Sequence, residues 1–183
     1  TDNDKDENGS QDNQYKTNTE PLKVKNKKEG RYTLLLKNGV YNKALGEKFP
    51  LTLQNVDLIA ASGSKGDVKV SGKIRLKSGT IAGIHFYNTV ELIGSDENRF
   101  ENNQITGIEP ETGLKVLSAA EIKNNKLNAN RWALSISTEK KVDIISNLFE
   151  NNYCAIDANR TRTKIRKNEV INGTYGFFIY ATS

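Results

Sequence analysis

The sequence is poor in the residues that usually carry catalysis or covalent bracing. It has one cysteine, one histidine, one tryptophan, three prolines and no methionine in 183 residues. A single cysteine, Cys154, excludes an intramolecular disulfide. One cysteine with one histidine, His85, cannot furnish a zinc site of nitrogen and sulfur ligands. Any catalytic triad would have to use His85, and neither a phosphate-binding glycine loop nor a Gly-x-Ser-x-Gly elbow is present. No run approaches the roughly 18 apolar residues of a membrane-crossing helix. Residues 1–20 contain no Val, Ile, Leu, Phe or Trp. Such a stretch cannot offset its chain entropy by burial, so 1–29 is expected to be a disordered polar tail or linker and 30–183 the folded domain.

Charge divides along the same line. Residues 1–20 hold six acids against two lysines, a net of −4, while the chain as a whole is +5, which leaves +9 on residues 21–183. A basic fold favours anionic partners: acidic polysaccharide, cell-wall polymer, nucleic acid or anionic lipid. Nucleic acid is disfavoured among these because no recognition motif accompanies the charge. An opening in polar Asp, Asn, Lys and Ser resembles the stretch that follows the acylated cysteine of bacterial lipoproteins. A secreted or cell-envelope location, with a lipid anchor outside this chain, is therefore the expectation.

What the sequence does have is a repeat. Asn-x-Φ-x-x-Asn, with Φ apolar, occurs at Asn98–Asn103, Asn125–Asn130 and Asn147–Asn152, and returns at Asn168–Gly173 with Gly in the last place. The first Asn residues are spaced by 27, 22 and 21. We read the longer step as an insertion near Pro110-Glu111-Thr112-Gly113. Around each motif apolar residues alternate: Ala120/Ile122, Val142/Ile144 and Thr163/Ile165 before it, Leu134/Ile136, Ile156/Ala158 and Phe177/Ile179 after it. Period two signals strands with one buried face. No single copy can bury that face, but stacked copies can, each residue lying over its equivalent about 4.8 Å away. Asn suits the turns because it tolerates left-handed backbone and can bond the Asn above it in a ladder. In the first half, 32–36, 51–53, 56–60, 68–70, 74–76, 81–86 and 90–93 read as strands between Gly, Asn and Ser turns. The predicted fold is all-β: a single-stranded right-handed parallel β-helix of about seven rungs with Asn-rich turns.

The segment Lys37-Asn38-Gly39-Val40-Tyr41-Asn42, followed by Gly46-Glu47-Lys48-Phe49-Pro50-Leu51, adds a resemblance. It is similar to the opening motif of a bacterial domain of unknown function in the pectate-lyase-like β-helix superfamily. There a Gly-x-Tyr turn leads into Gly-Glu-x-Phe-Pro-Leu. The resemblance implies the β-helix fold and no particular activity.

Candidate site residues follow from the alternation. Outward positions after the Asn turns are Ala133, Ser135 and Ser137, then Ala155, Asp157 and Asn159, then Gly176, Phe178 and Tyr180. Asp157 is the one carboxylate in this array, with Glu109 a neighbour if the register survives the insertion. Polysaccharide lyases and hydrolases on β-helices use exposed carboxylates, often with Ca²⁺, but a paired-acid hydrolase needs two within roughly 5–10 Å. Asp157 would be the catalytic residue of such an enzyme. The better-supported expectation is a binding surface for glycan or another polyanion made of Asp157, Asn159, Arg160, Arg162, Phe178 and Tyr180. A plainer reading has Phe178 and Tyr180 capping the last rung. A third has the whole chain as a structural fragment of a larger β-helix. Glu121, Asp143 and Lys164 should form an exposed charged column, Cys154 a buried structural thiol, and Trp132 part of the core. No metal site or resident cofactor is expected, unless the protein is carbohydrate-active, in which case Ca²⁺ would be the ion.

Overall fold

The computed structural model describes residues 30–94, 97–107, 112–159 and 162–180. The tail expected at 1–29 lies outside the described residues, as do Glu109 and Arg160. Over the described residues the chain is a parallel β-solenoid of about six turns, every strand pair parallel. One seven-stranded sheet forms a face by itself, from Gly39–Asn42 through Lys126–Asn128 to Glu169–Ile171. A twelve-stranded sheet supplies two more faces, joined because Leu51–Ala60 and Ile74–Ala82 each run unbroken across a corner. We call these the first face, which ends at Tyr175–Tyr180, and the second, which ends at Arg162–Arg166. The seven-stranded sheet is the third.

Alternation builds the core. Val56, Leu58, Ile81, Phe100, Ile122, Val142 and Ile144 point in and are fully covered. Phe86, Ile105, Leu127 and Phe149 fill the same space from the third face. The solenoid geometry explains why these residues must be apolar: each stacks on its equivalent one strand away, with no water between.

The corners explain the asparagines. The residue before each corner Asn, or before Gly173 in its place, has a left-handed backbone: Asn102, Asn124, Ser146 and Lys167 at one corner, Ala129, Asn151 and Asn172 at another, all with φ between 53° and 56°. At the first of these corners the Asn side chain turns inward. Asn103, Asn125, Asn147 and Asn168 form a ladder in which the Asn103, Asn125 and Asn147 backbone N–H groups each donate to the Oδ1 of the next Asn, at 2.8–2.9 Å. Each amide Nδ2 donates back to the preceding strand, to the carbonyls of Ile81, Phe100, Ile122 and Ile144. A shorter ladder joins Asn130 to Asn152 at the next corner.

The ladder corrects the phase of the sequence repeat. Asn98 pairs in register with Ala120, and it is Asn103 that precedes Asn125. The steps are then 22, 22 and 21, and the step of 27 was a slip between two faces. The slip arises because both corners place a left-handed residue and an Asn after an apolar strand position, so the motif fits either. In the first half the coil length is far less regular, from 16 residues between Val68 and Ile84 to 29 between Gly39 and Val68.

The family-like motif forms the corner after Gly39–Asn42. Asn42 caps a short 3-10 turn, Lys43–Leu45, by accepting from the Leu45 N–H, and left-handed Gly46 ends it. Phe49 then packs on Gly72, where a Cβ would lie 2.2 Å from the ring.

Two expectations about side chains need correction. Asp143 stands in the column Arg99–Glu121–Asp143–Lys164, as the alternation requires, but it is covered and paired to Lys141 at 2.6 Å. Phe178 and Tyr180 do not cap the last coil: Phe177 and Ile179, the inward residues of their strand, remain 48% and 61% exposed.

Candidate functional site

The first face near its C-terminal end gathers most of the side chains expected to act. Trp132–Ser137, Cys154–Asn159 and Tyr175–Tyr180 stack in register. Leu134, Ile156 and Phe177 share the inward side, while Ser135, Asp157 and Phe178 share an outward column. Ser137, Asn159 and Tyr180 form the next outward column. Asp157 and Phe178 are half-buried, and Asn159 and Tyr180 are exposed.

The column nearest the corner differs from expectation. Ala133 and Ala155 are fully buried, although strict alternation would expose them. The chain is tight here: a Cβ on their neighbour Gly113 would lie 2.8 Å from Asn130 Oδ1 and 2.9 Å from the Ala133 carbonyl. Only small residues fit this column.

Beside it runs a strip of aromatic rings. Trp132 and Tyr153 meet edge to face with centroids 6.3 Å apart, and Tyr153 and Tyr175 do so at 5.2 Å. Tyr175 lies 5.1 Å from Phe178, and Phe178 stacks on Tyr180 at 6.4 Å. Tyr153, Tyr175 and Tyr180 are each roughly half exposed. The Arg131 guanidinium sits 4.5 Å over the Trp132 ring, a cation–π contact. Trp132 is therefore a half-buried corner residue and not core. At a corner the alternation lapses, so strand parity misassigned Trp132 and gave no reason to single out Tyr153. The signal available in the sequence was the recurrence of an aromatic at 132, 153 and 175, one per coil.

Asp157 lies within this strip and meets no basic group at ion-pair distance among the described residues. Cys154, directly behind, is buried and free. Burial, and then the Asp157 charge, push its thiol pKa up, the opposite of a reactive thiolate. Toward the N-terminus the Asp157 column continues through Ser135, Lys115 and Glu91. Glu91 is three strand steps away, roughly 14 Å at about 4.8 Å per step, and is engaged by Lys73 and Arg75. That separation exceeds what a two-carboxylate mechanism tolerates.

Arg162 does not join the strip. It opens the last strand of the second face, paired in register with Lys141, and leads an exposed row with Lys164 and Arg166. Among the described residues no three His, Cys, Asp or Glu side chains converge as metal ligands.

His85 stands elsewhere, on the third face. It stacks on Tyr87 at 4.2 Å, and its Nε2 lies 2.9 Å from Thr106 Oγ1. Burial, and then the charge of Lys69 in the neighbouring strand, lower its pKa.

A family model described as a protein of unknown function, DUF1565, matches residues 1–181. The chain belongs to the DUF1565 family. Comparison with curated proteins and with solved structures finds no match. In this DUF1565 chain the strip and Asp157 thus stand on their own chemistry: flat apolar rings with hydroxyls at their rims, one unpaired carboxylate and one amide.

Proposed function

We propose that the protein is a non-catalytic glycan-binding module of the cell envelope or a secreted protein, in the bacterial pectate-lyase-like lineage that its opening motif resembles. The carrying observation is the strip Trp132, Tyr153, Tyr175, Phe178 and Tyr180 with Asp157 and Asn159 beside it. Contiguous exposed aromatic surface on a soluble fold marks an interaction site. Tyr and Trp offer rigid amphipathic contact area at low entropic cost, apolar against a sugar ring's C–H face and polar at the rim. The carboxylate and amide supply acceptors and a donor for ring hydroxyls, and the parallel coils repeat these groups along one direction, as a linear glycan requires. Arg131 is the cation at the strip itself. Arg162, on the next face, and Arg160, outside the described residues, would engage acidic substituents of a longer ligand.

The test is retention of the full chain on immobilised neutral and acidic polysaccharides, read with Ca²⁺ and with chelator. Tyr153→Ala and Tyr180→Ala should each weaken retention about tenfold, the equivalent of about 1.4 kcal/mol, with unchanged thermal stability. Salt-sensitive retention confined to acidic glycans would assign the ligand to that class. Unchanged retention in both variants would remove the strip from the account. Release of reducing ends or unsaturated sugar, abolished by Asp157→Asn, would replace the binding reading with an enzymatic one.

A further inference from the structure

On the first face, Asp157 and Lys115 are half-buried charges of opposite sign, and neither has a counter-ion among the described residues. They stand in the same outward column. Lys115 pairs in register with Ser135, and Ser135 with Asp157. Two strand steps of about 4.8 Å set their backbones roughly 10 Å apart. Both belong to the interior of the stack, each strand being paired on its two sides.

The surroundings reinforce the two signs. Beyond Lys115 the column continues to Glu91 and Arg75, and Glu91 is held by Lys73 at 2.6 Å and Arg75 at 2.8 Å. Lys73, Arg75 and Lys115 thus outnumber the one carboxylate there, which is already engaged. Beside Asp157 stands its register partner Phe178, with the rings of Tyr175 and Tyr180 against it. Aromatic faces attract cations, and the Arg131 guanidinium is taken up by Trp132. A half-buried charge without a partner is satisfied by an opposite charge brought by a ligand. A uniformly acidic chain crossing both positions would set an anion against Asp157, and a uniformly basic one would set a cation against Lys115.

We propose that the glycan bound at this face is zwitterionic, with an acidic group that pairs with Lys115 and a free amino group that pairs with Asp157 beside the rings. The ligand class is a polymer of amino sugars interspersed with acidic sugars. Lys115 and Asp157 are its specificity-determining residues, and their spacing of roughly 10 Å sets the separation of amine and acid along the ligand. This inference rests on the glycan reading and adds a charge pattern to it.

The experiment is calorimetric titration of the full chain with de-N-sulfated heparin, which carries free amines among its acidic groups, and with the same polymer after N-acetylation. Acetylation removes the amines' positive charge and leaves the polymer more anionic. For a chain of net charge +5, bulk attraction alone favours the acetylated form. A zwitterionic site requires the reverse, so the free-amine polymer should bind about tenfold more tightly. Asp157→Asn should erase that preference, as should Asp157→Ser where the amide variant does not fold. Lys115→Gln should weaken binding of both polymers about tenfold with an unchanged circular dichroism spectrum. Equal binding of the two polymers, tighter binding of the acetylated one, or a preference that survives loss of the Asp157 charge would overturn the proposal; a Tyr153→Ala variant that still loses retention would then keep the glycan reading without it. Binding of neither polymer would also overturn it. Retention of a neutral polysaccharide would in that case leave the glycan reading standing, and its absence would remove both.

Discussion

A buried asparagine is costly unless its amide is satisfied, and in this solenoid it is satisfied by repetition. Asn147 is the clearest case. Its Oδ1 accepts from both the Asn125 backbone N–H and the Asn125 side chain. Its own Nδ2 donates to the Ile122 carbonyl and to Asn168 Oδ1. Asn147→Ala would strand the buried Asn125 N–H and the Ile122 carbonyl together. The expected loss is roughly 3 kcal/mol, at about 1–3 kcal/mol for each unsatisfied buried group. Asn168→Ala, at the half-exposed end of the ladder, lets water replace the lost amide and should cost about 1 kcal/mol. Denaturant melts of the two variants check the gradient; equal losses would mean that position in the ladder does not matter.

At the scale of the element, seven strands end where one residue turns left-handed. These corner positions hold four Asn, a Ser, a Lys and an Ala. Ala129 is the misfit, with φ 54° and neither the glycine's freedom nor the asparagine's local hydrogen bonding. Its equivalents one and two coils on are Asn151 and Asn172, both with φ near 54°. Ala129→Asn should therefore stabilise the protein by roughly 0.5–1 kcal/mol, out of the 1–2 kcal/mol that the left-handed backbone costs an ordinary residue. The denaturation midpoint should rise with an unchanged slope; an unmoved midpoint would show that the surrounding corner already absorbs the strain. Gly79→Ala should act in the other direction, because its Cβ would lie 1.9 Å from the Val56 carbonyl oxygen.

These corners also show what the sequence could and could not reveal. From residue 98 onward the coils are 20–22 residues apart in most pairings, so alternation and Asn spacing exposed the parallel stack, the inward set and the Asp157 column. Before that, pairing steps of 16 to 29 residues hide any period, and only strand-like runs could be read. The strip was only partly legible for a physical reason. Phe178 and Tyr180 lie within a strand, where parity assigns a side, while Trp132 and Tyr153 lie at a corner, where backbone geometry breaks parity. Arg162 was grouped with Asp157 because the two are close in sequence, yet the corner between them sends their side chains to different faces.

For the molecule as a whole, three perturbed groups make its stability on the acid side of neutrality depend on pH in one direction. Burial alone would raise the Asp57 pKa, but hydrogen bonds from Arg31 and Thr80, with the Arg31 charge, outweigh it, and the carboxyl titrates below its usual range. Glu91 is likewise raised by burial and lowered further by Lys73 and Arg75, with a net lowering. His85 is lowered by burial and by Lys69. In all three the unfolded chain binds protons more readily than the folded one, so stability must rise with pH across each interval between folded and unfolded values. The His85 contribution is complete above its unfolded value of 6.5 and is lost as pH falls through its lower folded value. The Asp57 and Glu91 contributions are complete above 3.8 and 4.5 and disappear in stronger acid. Acid should therefore weaken the solenoid in two stages, the first below pH 6.5 from the third face and the second below about pH 4.5 from the first and second faces. His85→Gln keeps a group able to bond Thr106 but cannot titrate. Thermal melts of that variant should be flat from pH 7 to pH 5 while the parent declines, and both should fall together below pH 4.5. A parent melting temperature that does not decline between pH 7 and pH 5 would mean that His85 carries no linkage, and the two-stage picture would reduce to the carboxylates alone.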